Sequence, residues 1–170
     1  MALIDVLRAR FAEKILDASD RLGEQVVTIG RDDSLEIFRF LRDDPEMAFD
    51  LLIDLTAVDY LGRTPRFEVV SMLCSTSKRH RMRVKIGIEE KDCRVPSLTP
   101  LWKSANWLER EAFDMVGVRF DDHPDLRRIL MYDAFEGYPL RKDYPYNRRQ
   151  PIIPERDPIE NPWPARKFGA

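Results

Sequence analysis

The chain has 170 residues, of which 44% are hydrophobic and 34% charged, a composition typical of a folded globular protein rather than a disordered one. Its formal net charge of −2 gives no bulk attraction for nucleic acid, and none of its apolar runs approaches the roughly 20 residues that cross a bilayer. The two cysteines do not form a C-x-x-C pair, which excludes a disulfide framework and a zinc or iron–sulfur site. The length suits one domain with an appendage.

The N-terminal residues predict a helix rather than a targeting signal. Apolar side chains at Ile4, Leu7, Phe11, Ile15 and Ala18 share one helical face, and a glycine follows where such a helix would end. The stretch contains two acids and lacks the long apolar core of a signal peptide. We therefore expect the chain to stay in the reducing cytoplasm where it is made.

Residues 24–55 predict one strand and two further helices. The β-branched run Glu24–Ile29 is typical of a strand. Asp32 or Asp33 can cap a second helix. The triplet Asp44-Pro45-Glu46 supplies a cap, a first-turn proline and an early acid, so we expect a third helix that runs to about residue 55.

The middle of the chain predicts a β-hairpin at the centre of a small sheet. Apolar and polar residues alternate over residues 67–74 and again over residues 81–88, with a turn between them. The second run places Arg81, Arg83 and Lys85 on one face and aliphatic residues on the other. His80, in the turn, is expected at the surface, and Cys74 is expected to be a packed thiol, as is the second cysteine, Cys93.

The last predicted helix precedes a region rich in proline. Apolar residues recur at spacings of three and four from Leu101 to Met115, Thr99 or Ser104 can open the helix, and Gly117 stops it. Eight of the 12 prolines follow residue 120, and five lie in the last 20 residues. Proline at that density prevents helices and central strands, so we expect an extended arm that reaches on the order of 60–70 Å.

These elements predict an α+β fold, in which a small sheet with a central β-hairpin is covered by helices and followed by the extended proline-rich arm. The expected division is an α+β domain over residues 1–120 and a loop with a C-terminal arm over residues 121–170. Such an arm gains order only when it lies on another surface.

Three motifs stand in order along the second half of the chain: ERE-x-x-D-M-x-G over residues 109–117, HPDLRRIL over residues 123–130 and G-x-PLRKDYP over residues 137–145. In order and spacing they resemble the C subunit of proton-pumping NADH:quinone oxidoreductase, respiratory complex I, the family of the mitochondrial 30 kDa subunit. Weaker similarity covers residues 52–60 and 95–107, so the resemblance extends over about the whole chain. In that family glycine or asparagine often precedes the histidine, whereas this chain has Asp121-Asp122, which could pair with Arg127 or Arg128.

The resemblance implies a structural, cofactor-free subunit of the peripheral arm, on the cytoplasmic side of a bacterial inner membrane. The assembled enzyme would pass electrons from NADH through FMN and iron–sulfur clusters to a quinone such as ubiquinone and couple this to proton transport. The expected partners are other complex I subunits, chiefly the homologue of the D subunit, with the B homologue and the iron–sulfur subunits nearby. Related membrane-bound hydrogenases carry a similar subunit, so that setting stays open. A free-standing RNA-binding or adaptor protein is the alternative from another class.

Charged and aromatic residues of the last helix form the first group of candidate interface residues. Glu109, Arg110, Glu111 and Asp114 are placed on its polar flank, where Arg110 and Asp114 are four apart and can pair. A solvated helix face is the more common explanation of such a cluster in an unknown protein. Trp107 lies among these charges, as do two further aromatic residues of the region (Trp102 and Phe113). Exposed aromatics beside arginine are typical of interface centres, which favours docking.

The HPDLRR motif has three possible interpretations. His123 and Asp125 could form a general-base pair, but the proline between them, the lack of a candidate nucleophile and the lack of a phosphate-binding loop count against catalysis. A turn in which Asp125 caps the following residues and His123 holds the loop is the structural alternative. The resemblance favours a loop that Arg127 and Arg128 pin against a partner by bidentate contacts to carboxylates.

The third motif continues this pattern of basic and aromatic residues with Arg141, Asp143 and Tyr144. Such residues can bind single-stranded nucleic acid. Residues 121–170, however, contain nine acids and nine bases, so no net attractive field remains. The sequence therefore predicts a partner interface that uses no catalytic, cofactor-binding or metal-binding residue and comprises Trp107, Glu109, Arg110, Glu111, Asp114, His123, Asp125, Arg127, Arg128, Arg141, Asp143 and Tyr144.

Overall fold

The computed structural model describes residues 3–21 and 23–152. Within these residues the chain forms three α-helices and seven strands. The helices are α1 (Leu3–Phe11), α2 (Ser34–Asp43) and α3 (Ala105–Val116). The strands are β1 (Ile15–Arg21), β2 (Glu24–Ile29), β3 (Leu51–Asp59), β4 (Phe67–Cys74), β5 (Arg81–Ile88), β6 (Arg94–Pro96) and β7 (Arg119–Asp121).

Five strands form the main sheet in the order β1-β2-β5-β4-β3. Strands β2 and β5 run parallel, and the other neighbours are antiparallel. The predicted hairpin of β4 and β5 lies at the centre, with Ser71 opposite Val84. A separate pair of short parallel strands, β6 and β7, brackets α3. The α+β class and the central hairpin are therefore confirmed.

The sheet has a buried face and a polar one, as the alternation in β5 predicts. Aliphatic side chains of β5 such as Val84 and Ile86 are 1% and 3% exposed. On the opposite face Arg83 pairs with Glu24 at 2.8 Å, and Lys85 pairs with Glu68 at 2.9 Å. Burial of the aliphatic face against the helices supplies the main stabilisation, since each such side chain contributes about 1.5–3 kcal/mol.

The prediction of a long first helix is wrong beyond Phe11. Helix α1 ends there, and Ile15 and Ala18 lie in β1, which pairs antiparallel with β2. Both side chains still pack against the core, so the apolar positions fit either structure. Gly23, at φ +79°, makes the tight turn between the two strands rather than ending a helix. Antiparallel pairing with β2 therefore makes residues 15–21 a strand rather than a continuation of the helix.

The prediction of a third helix from Asp44 to residue 55 is also wrong. The Asp44 side chain accepts backbone N–H bonds from Glu46 at 2.9 Å and Met47 at 3.3 Å, so the cap forms as expected. The chain then turns at Ala48, whose φ is +44°, and continues as β3. Pairing of β3 with β4 satisfies its backbone groups, and a short apolar run does not distinguish a strand from a buried helix.

Helices α2 and α3 lie where the sequence predicts them. Asp33 stands at the N-cap of α2 and Ser104 at that of α3, although neither side chain makes a capping hydrogen bond. Ser104 instead donates to the carbonyl of Leu52 in β3, at 3.2 Å, and so joins the helix to the sheet edge. Gly117, at φ +85°, ends α3 in the left-handed conformation.

Residues 122–152, named here the signature segment, contain turns and bends without helix or strand. They return to the domain, because the backbone N–H of Leu140 donates to the carbonyl of Met115 at 3.0 Å and that of Lys142 donates to Asp59 at 2.8 Å. The predicted extended arm falls mainly on residues 153–170, which lie outside the described part of the chain.

Candidate docking surface

A single buried carboxylate organises the first part of the signature segment. Asp114, on α3, is 0% exposed. Its Oδ2 accepts the backbone N–H groups of Ile129 at 3.0 Å, Leu130 at 2.8 Å and Met131 at 2.8 Å, while Nη1 of Arg128 donates to Oδ1 at 2.6 Å. Burial alone would raise the pKa of Asp114, but these donors outweigh it and hold the pKa below its ordinary value.

Arg110, also on α3, binds neighbouring residues of the same segment. Its Nε donates to the carbonyl of Arg127 at 3.1 Å, and its Nη2 donates to that of Arg128 at 3.2 Å. One turn of helix thus presents a donor for the carbonyls and an acceptor for the amides of a neighbouring segment. The predicted Arg110–Asp114 pair is wrong, because each side chain binds the signature segment instead.

Arg128 is largely enclosed within the chain. Its side chain is 16% exposed, and Nη2 donates to the carbonyl of Gly137 at 3.0 Å. The guanidinium lies 5.6 Å from the ring centres of both Phe135 and Tyr138. The sequence suggested Asp121 or Asp122 as the ion-pair partner of Arg128, whereas the partner in the structure is Asp114. Contact of Arg128 with a neighbouring protein stays a prediction.

Glu109 is a second buried acid on α3. It is 0% exposed and accepts the backbone N–H of Leu98 at 2.6 Å and the hydroxyl of Ser97 at 2.7 Å. Burial raises its pKa to about 7, although both hydrogen bonds act in the opposite direction. Glu109 therefore holds the turn after β6 against the helix, and its predicted place on a solvated flank is wrong.

His123 is engaged through both ring nitrogens. Its Nε2 donates to the carbonyl of Asn106 at 3.1 Å, and its Nδ1 accepts the backbone N–H of Asp125 at 3.0 Å. The side chain is 0% exposed, and Nε2 lies 4.0 Å from Oε2 of Glu109. A ring held in this way cannot take a proton from a substrate, so the geometry supports the loop-holding interpretation.

The C-terminal end of α3 is closed by the third motif. Nε of Arg141 donates to the carbonyl of Val116 at 2.6 Å, and its guanidinium stacks between Tyr138 at 4.6 Å and Phe67 at 5.0 Å. A Cβ at Gly117 would lie 2.6 Å from the Tyr138 ring and 2.7 Å from the Arg141 guanidinium. Glycine is therefore required there for close packing as well as for its backbone conformation.

The ion pairs of Arg66 attach the third motif to the main sheet. This arginine, 6% exposed, donates to both oxygens of Asp59 at 2.9 and 2.8 Å and lies 2.9 Å from Asp143. Its Nη1 also donates to Glu90 at 2.5 Å. Hydrogen bonds from Arg66 hold the pKa of both Asp59 and Asp143 below the ordinary value. No sequence motif points to Arg66, and the only related signal is its partner Asp59, which lies in the weaker similarity over residues 52–60.

The end of the described segment folds upon itself. Tyr144 stacks on Phe135 at 6.0 Å and accepts a hydrogen bond from Gln150. Glu136 pairs with Arg148 at 2.6 Å and donates its backbone N–H to Gln150 at 2.9 Å. These contacts give residues 132–151 a defined shape.

Apolar side chains face water mainly around this segment. Of the nine large hydrophobic residues that are exposed in the described part of the chain, five lie between positions 107 and 152. They are Trp107 at 70%, Leu130 at 58%, Leu140 at 59%, Tyr146 at 99% and Ile152 at 93%. Of these five residues, the sequence predicts only Trp107 as an interface residue. The other four lie among prolines and charged residues, where no pattern marks them.

The predicted interface residues fall into three classes by exposure. Trp107, Glu111, Asp125, Arg127 and Asp143 are exposed, Arg127 at 71% of its side chain. Arg110, Arg141 and Tyr144 are partly buried, and the remaining predicted residues (Glu109, Asp114, His123 and Arg128) are buried or mostly enclosed. A partner can reach the first class directly, while the last class shapes the surface.

Four smaller expectations are corrected by the packing. Trp102 is 5% exposed and donates its indole N–H to the carbonyl of Phe49 at 3.1 Å. His80 is partly buried, with its ring 4.7 Å from that of Phe49. Asp121 lies 3.6 Å from Arg94, while Asp122 adopts φ +61°. Trp102 and His80 are therefore not free surface residues, and within the described residues neither Asp121 nor Asp122 forms an ion pair with Arg127 or Arg128.

Comparison with known proteins identifies the family. Residues 27–150 match the family described as respiratory-chain NADH dehydrogenase, 30 Kd subunit. The chain belongs to this family. The C subunit of NADH-quinone oxidoreductase from Citrifermentans bemidjiense is 48% identical over 154 residues, which cover 91% of both chains. The C subunit from Roseiflexus castenholzii is 49% identical over 139 residues, covering 82% of this chain and 80% of that one. The predicted resemblance to this complex I subunit is confirmed.

Solved structures show the same fold. The structure described as Nqo5 of the trypsin-resistant fragment (1-134) has a TM-score of 0.65 at 35% identity and covers 74% of this chain and 100% of that one. A chain of the archaeal membrane-bound sulfane sulfur reductase has a TM-score of 0.69 at 20% identity, covering 85% and 84%, and shares the fold.

Residues 3–21 and 23–152 contain no helix that is long and apolar enough to cross a membrane. The same part of the chain contains no group of three or more histidine, cysteine, aspartate or glutamate residues that could hold a metal ion.

Proposed function

We propose that this member of the 30 kDa subunit family is a structural, cofactor-free docking subunit in the peripheral arm of proton-translocating NADH:quinone oxidoreductase. Residues 121–170, the signature loop and the proline-rich arm, dock on neighbouring subunits, chiefly the homologue of the D subunit, with the B homologue and the iron–sulfur subunits nearby. The complex lies on the cytoplasmic side of the bacterial inner membrane, and the chain is attached to the membrane only through it.

The observation that carries the proposal is the presence of exposed apolar side chains on a segment that hydrogen bonds and ion pairs hold against the domain. The chain uses Asp114, Arg110 and Arg66 to fix the shape of the signature segment. Leu130, Leu140 and Tyr146 are left facing water. Apolar side chains presented by a rigid segment gain free energy when a partner covers them, and the segment loses little entropy on docking.

The contribution of this chain to electron transfer is then indirect. In the assembled enzyme the electrons pass from NADH through FMN and iron–sulfur clusters to the quinone, and those centres belong to other subunits. This chain holds its neighbours at the correct separation. His123 and Glu109, the two groups that resemble catalytic material, serve to position the turns around α3.

A second setting is an equivalent subunit of a related membrane-bound complex such as a hydrogenase. The shared fold with a chain of the archaeal membrane-bound sulfane sulfur reductase favours keeping it as the alternative, although 20% identity shows the fold alone. The two settings differ in the companions of the chain.

The test is purification of the tagged full-length chain from its native membranes in mild detergent, followed by mass spectrometry. We expect the B and D homologues of complex I, the NADH-binding and iron–sulfur subunits, and NADH:quinone activity in the same fraction. The chain itself, separated from them, should have no flavin or iron–sulfur absorbance. Recovery with hydrogenase subunits would select the second setting, and recovery of the chain alone would refute both.

A further inference from the structure

The turn between β4 and β5 is held by several hydrogen bonds. The carbonyl of Ser75 accepts a hydrogen bond from the backbone N–H of Arg79 at 2.9 Å, and its hydroxyl accepts one from the backbone N–H of Lys78 at 3.1 Å. Asp50 accepts both the backbone N–H of Thr76, at 2.8 Å, and its hydroxyl. His80 donates from Nε2 to the carbonyl of Met47 at 2.6 Å. The turn therefore presents its remaining side chains from a rigid base.

The side chains of the turn include three cations that form no ion pair within the described part of the chain. Lys78, Arg79 and Arg81 are exposed, and none of the three makes an ion pair within residues 3–21 and 23–152. We name these three residues the basic turn. Further along β5 the situation differs, because Arg83 and Lys85 are neutralised by Glu24 and Glu68. The charge left over on the hairpin is therefore confined to its tip.

The basic turn and the signature segment lie at opposite ends of the main sheet. Cys74, at one end of β4, pairs with Arg81 beside the basic turn. At the other end of β4, the ring centre of Phe67 lies 5.0 Å from the guanidinium of Arg141 in the signature segment. Seven residue steps of a strand separate these ends by about 23 Å. One partner surface that covers the signature segment would have to extend along the sheet to reach the basic turn as well.

We propose that the basic turn is a second docking surface, which binds a carboxylate-rich segment of a neighbouring protein chain. Arg79 and Arg81 have the planar fork that binds carboxylates through two hydrogen bonds. Three cations are fewer than the cluster of about four to eight that binds anionic lipid, which favours a protein partner over a membrane surface. The inference rests on the proposed function, since the acidic neighbour is another subunit of the same assembly.

Zero-length coupling with a carbodiimide tests the proposal in the assembled complex. The reagent joins a lysine amine to a carboxylate that it touches, so Lys78 should become linked to an aspartate or glutamate of another chain. Lys78→Arg keeps the charge and should remove that link. Lys142, an exposed lysine of the signature segment, is the internal reference because it reports docking of the first surface.

The possible outcomes separate this inference from the proposed function. Links from both lysines to other chains support both. A link from Lys142 without one from Lys78, or a Lys78 link only to Asp50 of its own chain, overturns the basic turn as a docking surface. If neither lysine is linked to another chain, docking through the signature segment fails together with the inference.

Charge reversal gives an independent measurement. Arg79→Glu combined with Arg81→Glu should lower the amount of chain retained in the complex about tenfold at physiological salt. Arg63→Glu combined with Lys91→Glu changes two exposed cations, likewise unpaired in the described residues, and should have little effect. Equal losses from both pairs would overturn the proposal. So would binding of the purified chain to vesicles with about 30% phosphatidylserine that the first pair abolishes, because the occupant would then be lipid.

Discussion

Oδ1 of Asp114 lies 2.6 Å from Nη1 of Arg128, and the two side chains are 0% and 16% exposed. This pair joins the middle of α3 to a segment without secondary structure. Because the other oxygen of Asp114 accepts three backbone N–H groups, the carboxylate replaces the ladder partners that a helix or strand would have supplied. The shape of residues 128–131 thus depends on a residue outside that segment.

Asp114→Asn should destabilise the purified chain by about 3–5 kcal/mol, because it leaves the enclosed Arg128 without its counter-charge. The free energy of unfolding in urea measures this loss. Asp125→Asn is the matched control, since Asp125 pairs with Arg127 at 2.9 Å at the surface. Such an exposed pair contributes about 0–1 kcal/mol. Equal losses in the two variants would contradict the structural role given to Asp114.

Glu109 should make the stability of the chain depend on pH near neutrality. Its pKa in the folded state is about 7, raised by burial above the ordinary 4.5, so the folded chain holds the proton more tightly than the unfolded chain. The resulting stabilisation is complete below the unfolded pKa and is lost as the pH rises from 4.5 to about 7. We expect a loss of about 2–3 kcal/mol in urea titrations between about pH 5 and pH 8.

Glu109→Gln should remove most of that dependence, because the amide remains neutral. Glu111→Gln changes an exposed acid on the same helix and should leave it intact. Asp59 and Asp114 do not interfere, since their lowered pKa values place their contributions at more acidic pH. An unchanged pH profile in Glu109→Gln would show that this carboxylate is not the titrating group.

Gly117→Ala should be much more harmful than Gly62→Ala, although both glycines adopt nearly the same backbone conformation, at φ +85° and +86°. A Cβ at Gly62 meets nothing within 4 Å, so the cost there is the backbone term of about 1 kcal/mol. At Gly117 the added methyl group displaces Tyr138 and Arg141. We expect at least about 2 kcal/mol more loss of unfolding free energy there, and equal losses would contradict the close packing.

Sequence patterns predicted elements whose signals are local and repeated. The hairpin of β4 and β5 alternates over eight residues in each strand, and α3 combines apolar spacing with a terminal glycine. The first part of β1 fits a helical period as well as a strand, and the cap signal at Asp44-Pro45-Glu46 predicts a helix that covers the first half of β3. Pairing with the following strands, β2 and β4, makes both segments strands.

The sequence predicts candidate interface residues but not the contacts that they make within the chain. Glu109 and Ala105 stand four apart on the buried stripe of α3, a position at which a charge is costly in isolation. Backbone N–H groups stabilise the two buried acids: residue 98 donates to Glu109, and residues 129–131 donate to Asp114. No sequence pattern predicts that these backbone groups lie beside the helix. Arg66 was missed for the same reason, since its three carboxylate partners come from separate parts of the chain.

The central claim is that the signature segment is shaped within the chain and docks through its exposed apolar side chains. The most direct test compares two pairs of exposed leucines: Leu130 and Leu140, which are 58% and 59% exposed, with Leu16 and Leu61, which are 68% and 54% exposed. Each pair is changed to serine in the tagged full-length chain. The amount of chain recovered with the membrane complex is then measured beside the stability of the purified chain.

We predict that both double variants keep the unfolding free energy within about 1 kcal/mol, because the side chains already face water. Recovery with the complex should fall at least about tenfold for Leu130→Ser with Leu140→Ser, since burial of two leucines at an interface contributes more than about 1.4 kcal/mol. Recovery should be unchanged for Leu16→Ser with Leu61→Ser. Full recovery of the Leu130 and Leu140 variant, or an equal loss in both, would contradict docking through this surface.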